Sequence, residues 1–232
     1  MRCLDSLKGI MERGGTEVIL VDNGSTDGTC RAVGAKFPCV MIIRNGENRG
    51  VAYARNRGLE RSCGDYVLIL DNDTVANTEA IDGMIGYMES TPGVGISGCR
   101  LVGDGGEVQQ SYKAFPGLVK KIRNALSRNK SGNAVDPPGE VCFPEYVIGA
   151  CQLIRRKVVE QVGLLDEAIF YGPEDADYCI RARSKGWETA YLPQFTIVHS
   201  WRRASSRNLF SRLSWLHVCG LLHFYVKHRR IV

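Results

Sequence analysis

The sequence lacks the features of a secreted, disulfide-stabilised or membrane-spanning protein. Its nine cysteines form no C-x-x-C pair, so they favour reduced thiols in a cytoplasmic protein over a zinc site or a disulfide framework. The first residues, MRCLDSL, contain no apolar stretch of the kind that a signal peptide carries. Near the C-terminus, Arg212, His217 and His223 interrupt an apolar segment, so we expect no spanning helix there.

The composition is that of an ordinary globular protein. The chain has 232 residues, of which 44% are hydrophobic and 24% charged, which suits one large domain or one domain with an appended arm. The net charge of +5 suits an anionic nucleotide or a lipid surface, but it does not imply nucleic acid, which we do not expect as a partner. Up to Ser97, apolar runs alternate with helical patterns, which predicts an α/β fold with a mostly parallel sheet flanked by helices.

The segment GDYVLILDNDT at 64–74 is the most informative part of the chain. Tyr66 to Leu70 is an unbroken apolar run, which predicts a central strand buried on both faces. The run ends in Asp71, Asn72 and Asp73, at the end of the strand where open α/β sheets bind ligands. Alternation points Asp71 and Asp73 the same way, and two carboxylates suit Mg²⁺ or Mn²⁺ shared with substrate phosphates. A polar turn after a strand is the alternative.

Two more loops contribute candidate nucleotide-sugar contacts. One follows the strand predicted at 17–21, and the other precedes the helix predicted at 51–61. Their polar side chains suit either helix capping or the binding of a nucleoside and its diphosphate. The candidates in these loops are Asp22, Asn23, Ser25, Asn48, Arg49 and Arg55, and Asp71 and Asn72 at the end of the acidic strand complete the set. Arg57 and Arg61 fit a solvated helix face instead.

A second acidic centre lies in YGPEDADY at 171–178. Pro173 fits the first position of a helix, which places Glu174 and Asp175 in its first turn, where the helix dipole favours anions. Two adjacent acids repel each other, which keeps one of them basic enough to act as a general base. Helix-start electrostatics alone is the alternative interpretation.

Three other features bear on the site. Gly103 to Gly139 interrupts the alternation and carries basic residues, which predicts an insertion over the site or an acceptor-side loop. Gly149 and Ala150 are small enough to allow a close approach of the backbone. His199 ends the last predicted strand, where a structural role is more common than metal ligation.

Five motifs stand in order along the chain: VDNGSTDGT at 21–29, ENRGVAYARNRGL at 47–59, GDYVLILDNDT at 64–74, GAC at 149–151 and GLLDEAIFYGPEDADYCIRARSKGW at 163–187. Together they resemble family 2 inverting glycosyltransferases of the GT-A fold, in particular the rhamnosyltransferase-like branch that builds bacterial cell-surface polysaccharides. The resemblance implies a Rossmann-like GT-A domain over residues 1–205. Within it we expect a nucleotide-sugar half at about 1–100 and an acceptor half at about 140–205.

The resemblance also implies a role for each acidic centre. It implies that Asp22 contacts the nucleoside, and that Asp71 and Asp73 form a D-x-D motif holding Mg²⁺ or Mn²⁺ on the diphosphate of a nucleoside-diphosphate sugar. It implies that His199 completes the metal shell. Asp175 would then be the base that deprotonates a hydroxyl of a saccharide or polyprenyl-linked acceptor.

One part of the family pattern is missing. Members usually begin with an apolar mid-sheet strand, whereas Met1 to Leu7 already resembles the helix that follows it. We therefore expect a sheet without its usual first strand, in a chain that is either truncated or fills the gap with another segment. A catalytically impaired, nucleotide-binding relic of the family is the alternative function. A sugar nucleotidyltransferase is disfavoured because its G-x-G-x-R loop is absent.

Residues 206–232 form a predicted amphipathic helical arm that ends in basic residues. The apolar side chains that lie broadly on one side of the helix are Leu209, Leu213, Leu216, Leu221 and Phe224. Two interpretations stay open. The arm either contacts the inner face of the cell membrane peripherally, or it packs on the catalytic domain or on a second subunit of a homo-oligomer.

Overall fold

Helices and strands alternate through most of the chain in a computed structural model that describes residues 1–115, 139–200 and 212–228. In chain order the first part contains α1 (Arg2–Ser6), α2 (Lys8–Glu12), β1 (Ile19–Asp22), α3 (Thr29–Lys36), β2 (Met41–Arg44), α4 (Val51–Arg61), β3 (Tyr66–Leu70), β4 (Thr74–Val75) and α5 (Thr78–Ser90). The second part contains β5 (Val94–Val102), β6 (Val108–Gln109), β7 (Tyr112–Lys113), β8 (Tyr146–Val147), β9 (Cys151–Arg155), α6 (Arg156–Val162), α7 (Glu174–Ser184), β10 (Glu188–His199) and α8 (Arg212–His228). Most of the insertion predicted at 103–139, and both ends of the predicted arm, lie outside the described residues.

The main sheet has the strand order β3-β9-β5-β10-β4, with the short β6 attached to β5. β5 and β10 are parallel, and β3 runs in their direction because β3 and β5 both pair antiparallel with β9. Apolar side chains fill both sides of this sheet. Met84 and Met88 of α5 pack in one core cluster, and Val158 of α6 and Tyr178 of α7 pack in the other. The fold is therefore mixed α/β with helices around the sheet, as predicted.

The acidic strand β3 lies at an edge of this sheet, and the prediction of a central strand buried on both faces was wrong. Of its residues only Ile69 is buried, and the other four are half-buried. β1 and β2 form a separate, parallel two-stranded sheet. Within the described ranges no strand pairs with β3 on the side away from β9. The apolar run at Tyr66 to Leu70 has the composition of an interior strand, but the neighbour that would bury it is not among these residues, in line with the missing first strand.

The described part of the C-terminal arm packs on the rest of the protein. Phe224 and Tyr225 of α8 are 0% and 2% exposed. Lys227 donates to Asp166 and also pairs with Asp177 at 2.7 Å, so charge as well as apolar contact holds the helix. Gly220 lies against the backbone that leads into α7. Packing is thus established for the inner face of the helix.

We expect Gly220→Ala to loosen this contact. A Cβ atom at Gly220 would lie 2.8 Å from the carbonyl oxygen of Gly172, so either α8 or the loop must shift. Overpacking of this kind costs about 1–3 kcal/mol of the free energy of unfolding. The matched control is Gly86→Ala in α5, where a Cβ meets nothing within 4 Å and the substitution should stabilise the helix by about 0.5–1 kcal/mol. Urea unfolding of both variants checks this, and equal midpoints would contradict the close packing.

Candidate active site

The structure brings Asp71, Asp73 and His199 together. One ligand atom from each residue lies within 4.8 Å of the other two. The contact is made by β4, which follows the two aspartates and pairs antiparallel with the end of β10, so that Thr74 lies opposite His199. The carboxylate side chains are 41% and 39% exposed, which leaves room for a ligand, whereas His199 is buried.

The ring of His199 is oriented by Gln109 of β6. The Nε2 atom of Gln109 donates to the backbone oxygen of His199 at 2.8 Å, which leaves its Oε1 atom as an acceptor. Nδ1 of His199 lies 2.8 Å from Oε1 of Gln109. Because Oε1 can only accept a hydrogen bond, Nδ1 carries the ring proton. The lone pair is then on Nε2, which is 3.5 Å from Oδ1 of Asp73. Two acceptors that face each other, with a second carboxylate beside them, fit a divalent cation.

Arg55 of α4 joins this cluster to the second acidic centre. Its Nη1 atom donates to Glu174 at 2.9 Å, and its Nη2 atom donates to Asp71 at 3.0 Å and to the backbone oxygen of Gly149 at 3.0 Å. The side chain is only 12% exposed. Burial alone would lower the pKa of Arg55, but Glu174, Asp71 and Asp175 outweigh it and raise that pKa. Both terminal nitrogens are thus engaged with protein, and the contact of Arg55 with a diphosphate stays a prediction.

Gly149 makes this junction sterically feasible. A Cβ atom there would lie 2.3 Å from Nη1 of Arg55. The backbone N–H of Gly149 donates to Oδ2 of Asp175 at 3.1 Å, and the N–H of Asp71 donates to the oxygen of Ala150 at 3.0 Å. The close backbone approach predicted for Gly149 and Ala150 is confirmed, and it is what brings both acidic centres to one place.

Glu174 and Asp175 begin α7 and differ in their surroundings. Glu174 is 6% exposed and paired with Arg55, whereas Asp175 is partly exposed and accepts hydrogen bonds from the N–H groups of Gly149 and Ala176. Burial raises the pKa of both carboxyl groups, and the positive charge of Arg55 limits the rise. Asp175 is the acid of the two that a substrate can reach.

One detail of this region differs from the prediction. Pro173 is the N-cap and not the first helical residue, so α7 begins one residue later, at Glu174. Asp177 of the same helix is fully buried and pairs with Arg181 and with Lys227 and His228 of α8. Its pKa is lowered: burial opposes this, but the cations outweigh burial. It is therefore held as a charged anchor for α8.

The nucleoside loops meet through a network of amide side chains. Asn23, which follows β1, donates to Oδ1 of Asn48 at 2.9 Å and accepts from Nδ2 of Asn45 at 3.1 Å. Asp22 is buried at the end of β1 and accepts from the N–H of Ser25 at 3.2 Å. The hydrogen bond with Ser25 lowers the pKa of Asp22, so this carboxylate is charged at neutral pH.

The remaining sequence candidates lie at the rim. Arg49 is exposed and its guanidinium lies 3.9 Å from the ring centroid of Tyr53. Asn72 is exposed at the turn between the two aspartates. Arg57 forms an exposed ion pair with Glu60, so its predicted place on a solvated face is confirmed. Roles for Arg49 and Asn72 stay predictions.

Sequence reasoning missed Gln109 and Asn45. Gln109 lies 90 residues before His199 and belongs to no motif, so only the pairing of β6 with β5 and the course of β10 place it behind the histidine ring. Asn45 follows β2 directly. Its position at the end of a strand, like that of Asp22 at the end of β1, could have indicated a site residue.

The chain belongs to glycosyltransferase family 2, because the model of that family, described as "Glycosyl transferase family 2", matches residues 1–163. It is 29% identical over 247 residues to N-acetylglucosaminyl-diphospho-decaprenol L-rhamnosyltransferase of Mycobacterium tuberculosis, an alignment that covers 98% of this chain and 80% of the relative. It is 25% identical over 227 residues to the amylovoran biosynthesis glycosyltransferase AmsE of Erwinia amylovora, covering 97% and 77% of the two chains. The protein is therefore a glycosyltransferase.

Solved structures show the same fold. The mannosyltransferase PcManGT from Pyrobaculum calidifontis, in complex with GDP-Man and Mn²⁺, matches with a TM-score of 0.63 at 20% identity, over 99% of this chain and 60% of that one. GalNAc-T7 with UDP, GalNAc and Mn²⁺ matches with a TM-score of 0.64 at 13% identity, over 90% and 42%. At these identities the similarity shows the GT-A fold, as predicted.

We expect Gln109→Met to weaken metal binding without unfolding the protein. Methionine fills the same space but cannot hold the histidine ring or fix its proton on Nδ1. Loss of such an outer hydrogen bond lowers metal affinity about 10–100-fold. Calorimetric titration with Mn²⁺, in the presence of a nucleoside diphosphate, measures this.

The matched control is Gln161→Met, which loses a hydrogen bond to Trp187 on another part of the surface. It should bind Mn²⁺ like the parent protein. Equal affinities for the two variants would show that Gln109 does not orient a metal ligand.

Proposed function

We propose that this glycosyltransferase moves a sugar, with inversion, from a nucleoside-diphosphate donor to a hydroxyl of a saccharide or polyprenyl-linked acceptor in cell-surface polysaccharide synthesis. The observation that supports it most strongly is Arg55, which holds the Asp71–Asp73–His199 cluster and the Glu174–Asp175 pair side by side. One centre suits a leaving diphosphate and the other suits an attacking hydroxyl. The names of the two relatives, a rhamnosyltransferase and an enzyme of amylovoran synthesis, support rhamnose as a donor sugar and polysaccharide as the context.

On the donor side, Asp71, Asp73 and His199 would hold a Mg²⁺ or Mn²⁺ ion. Such an ion, when bound, neutralises charge that develops on the nucleoside diphosphate. Asp22 and the Asn23 network lie at the ends of β1 and β2 and suit the nucleoside. Oxygen and imidazole donors accept both metals, and the Mn²⁺ in the two similar structures favours manganese.

On the acceptor side, Asp175 takes the proton of the attacking hydroxyl. The hydroxyl oxygen forms the new bond to the anomeric carbon while the bond from that carbon to the diphosphate oxygen breaks, and the diphosphate leaves with the electron pair. Attack from the face opposite the leaving group inverts the configuration. The proton ends on Asp175, and a raised pKa makes this carboxylate a better base than an exposed aspartate. Glu174 acts through Arg55 and is a positioning residue.

A nucleotide-binding relic is the second candidate, and the unpaired edge of β3 favours it. That edge supports Asp71 from one side only within the described residues. Incubation with nucleotide sugars and Mn²⁺ separates the two candidates. Release of nucleoside diphosphate supports the transferase, whereas binding of the donor without release supports the relic.

Asp175→Asn should reduce turnover and leave donor binding nearly intact. Asparagine keeps the shape of the side chain but has almost no proton affinity, so we expect a loss of roughly 10²–10⁴-fold in kcat. Steady-state transfer assays and donor titration measure the two quantities. Asp82→Asn, which removes an exposed ion pair with Arg13, serves as the control and should retain full turnover. Full turnover in Asp175→Asn would place the base elsewhere.

Arg55→Met should move the pH dependence of kcat. The base acts when deprotonated, so kcat rises with pH through the pKa of the acidic pair. Arg55 lowers the pKa of Glu174 and Asp175, so its loss raises that pKa and shifts the acid limb of the profile to higher pH. Arg57→Met, on the exposed face of the same helix, is the matched control and should leave the profile in place. If the parent, Arg55→Met and Arg57→Met had the same acid limb, the base that titrates in the profile would not be in contact with Arg55.

A further inference from the structure

The outer face of α8 presents an apolar stripe that nothing in the described chain covers. Trp215, Val218, Leu222 and Val226 are 65%, 44%, 53% and 70% exposed, and they follow the i, i+3, i+7, i+11 spacing of one helix face. These four residues, here called the outer stripe, are not the apolar side that the sequence predicted for membrane contact. Phe224 of the predicted side is buried against the domain, and Leu213, Leu216 and Leu221 are partly buried.

The positive charge of the sequence is concentrated in its last 32 residues, which include this helix. Seven of the 30 basic residues follow Ser200, and all 25 acidic residues precede it. Residues 1–200 therefore hold 23 basic and 25 acidic residues and carry a net charge of −2, whereas residues 201–232 carry +7. Of these seven, Lys227 forms ion pairs with Asp166 and Asp177.

We propose that the outer stripe inserts into the interfacial layer of an anionic lipid bilayer. Two attractions hold an interfacial helix at a bilayer: burial of apolar side chains and attraction of cations to anionic lipid. The exposed tryptophan and three aliphatic side chains supply the first, and the cationic sequence at both ends of the helix supplies the second. Within the described ranges no helix is long and apolar enough to cross a bilayer. The inner face of α8 stays on the protein, so binding requires no detachment of the helix.

A second copy of the chain fits the outer stripe less well. A two-fold interface brings the same segment of each copy next to itself. Here that would bring together two copies of a sequence segment that carries +7 and contains no acidic residue of its own. Anionic headgroups complement this charge, whereas a second copy repeats it. A homo-oligomer through another surface stays a prediction.

The position of α8 links this surface to the site. Nδ1 of His217 lies 3.2 Å from the backbone oxygen of Tyr171, and Gly220 packs on Gly172, directly before Glu174 and Asp175. A bilayer against the outer stripe therefore lies on the side of the molecule that holds the general base. The further step, that membrane attachment brings a lipid-linked acceptor to Asp175, rests on the proposed function. The attachment itself does not.

The test is co-sedimentation of the full chain with vesicles of phosphatidylcholine alone or mixed with phosphatidylglycerol, without donor or metal. We expect binding to the anionic vesicles, weakened by high salt, and at least about a tenfold lower partition coefficient for Trp215→Gln/Leu222→Gln, because two anchoring side chains are lost. The matched control, Met41→Gln/Phe143→Gln, changes two exposed apolar residues elsewhere and should sediment like the parent.

Equal sedimentation of both double variants would overturn the proposal. So would a parent that ignores anionic vesicles, or a parent dimer in analytical ultracentrifugation that the Trp215→Gln/Leu222→Gln exchange dissociates. Release of nucleoside diphosphate from a water-soluble donor is measured separately on the same proteins. Its failure would count against the proposed function and not against membrane attachment.

Discussion

The buried guanidinium of Arg55 is the interaction on which the site depends. It neutralises Asp71 on one side and Glu174 on the other. Arg55 and Glu174 are 119 residues apart in the sequence. Leaving a buried charge without its partner costs on the order of 3–5 kcal/mol, so Glu174, whose side chain is 8% exposed, cannot leave Arg55 cheaply. The bond to Asp71, whose side chain is 41% exposed, is screened by solvent and contributes less. One side chain that extends from the middle of α4 thus holds the two acidic centres side by side.

The fold supplies the surroundings that this contact needs. α4 begins after the loop whose Gly50 packs on Phe170, and Gly149 leaves the space that Arg55 fills. β10 pairs with β5 and, at its end, with β4, so that His199 lies beside the turn of Asp71 and Asp73. Next to the second acidic centre, Asp177 anchors α8, and Gly220 of α8 packs on the backbone before α7. The catalytic assignment thus rests on contacts between distant parts of the chain.

Local patterns were sufficient to predict most elements but not their neighbours. The bounds of α4 and β3 agree with the apolar and helical patterns, because these depend on residues adjacent in sequence. The burial of β3 was predicted wrongly, since burial depends on which strand lies beside it. The position of Asp71 and Asp73 after a strand was enough to predict a site. The approach of His199 depends on the pairing of β4 with β10, and its contact with Gln109 depends on the fold, so neither could be predicted from local patterns. Likewise, the sequence showed that α8 is apolar on one side, but only packing separates a buried face from the outer stripe.

The division of labour between the two acidic centres is tested most directly by metal-dependent binding of donor. Calorimetric titration of UDP, dTDP and GDP, each with and without Mn²⁺, would first identify the nucleotide that the parent binds. Asp73→Ala should stay folded and lose the gain in affinity that Mn²⁺ gives the parent, since alanine offers no ligand in place of the carboxylate. If Asp73→Ala binds nucleotide and Mn²⁺ as the parent does, the metal and the diphosphate lie elsewhere and the account is contradicted.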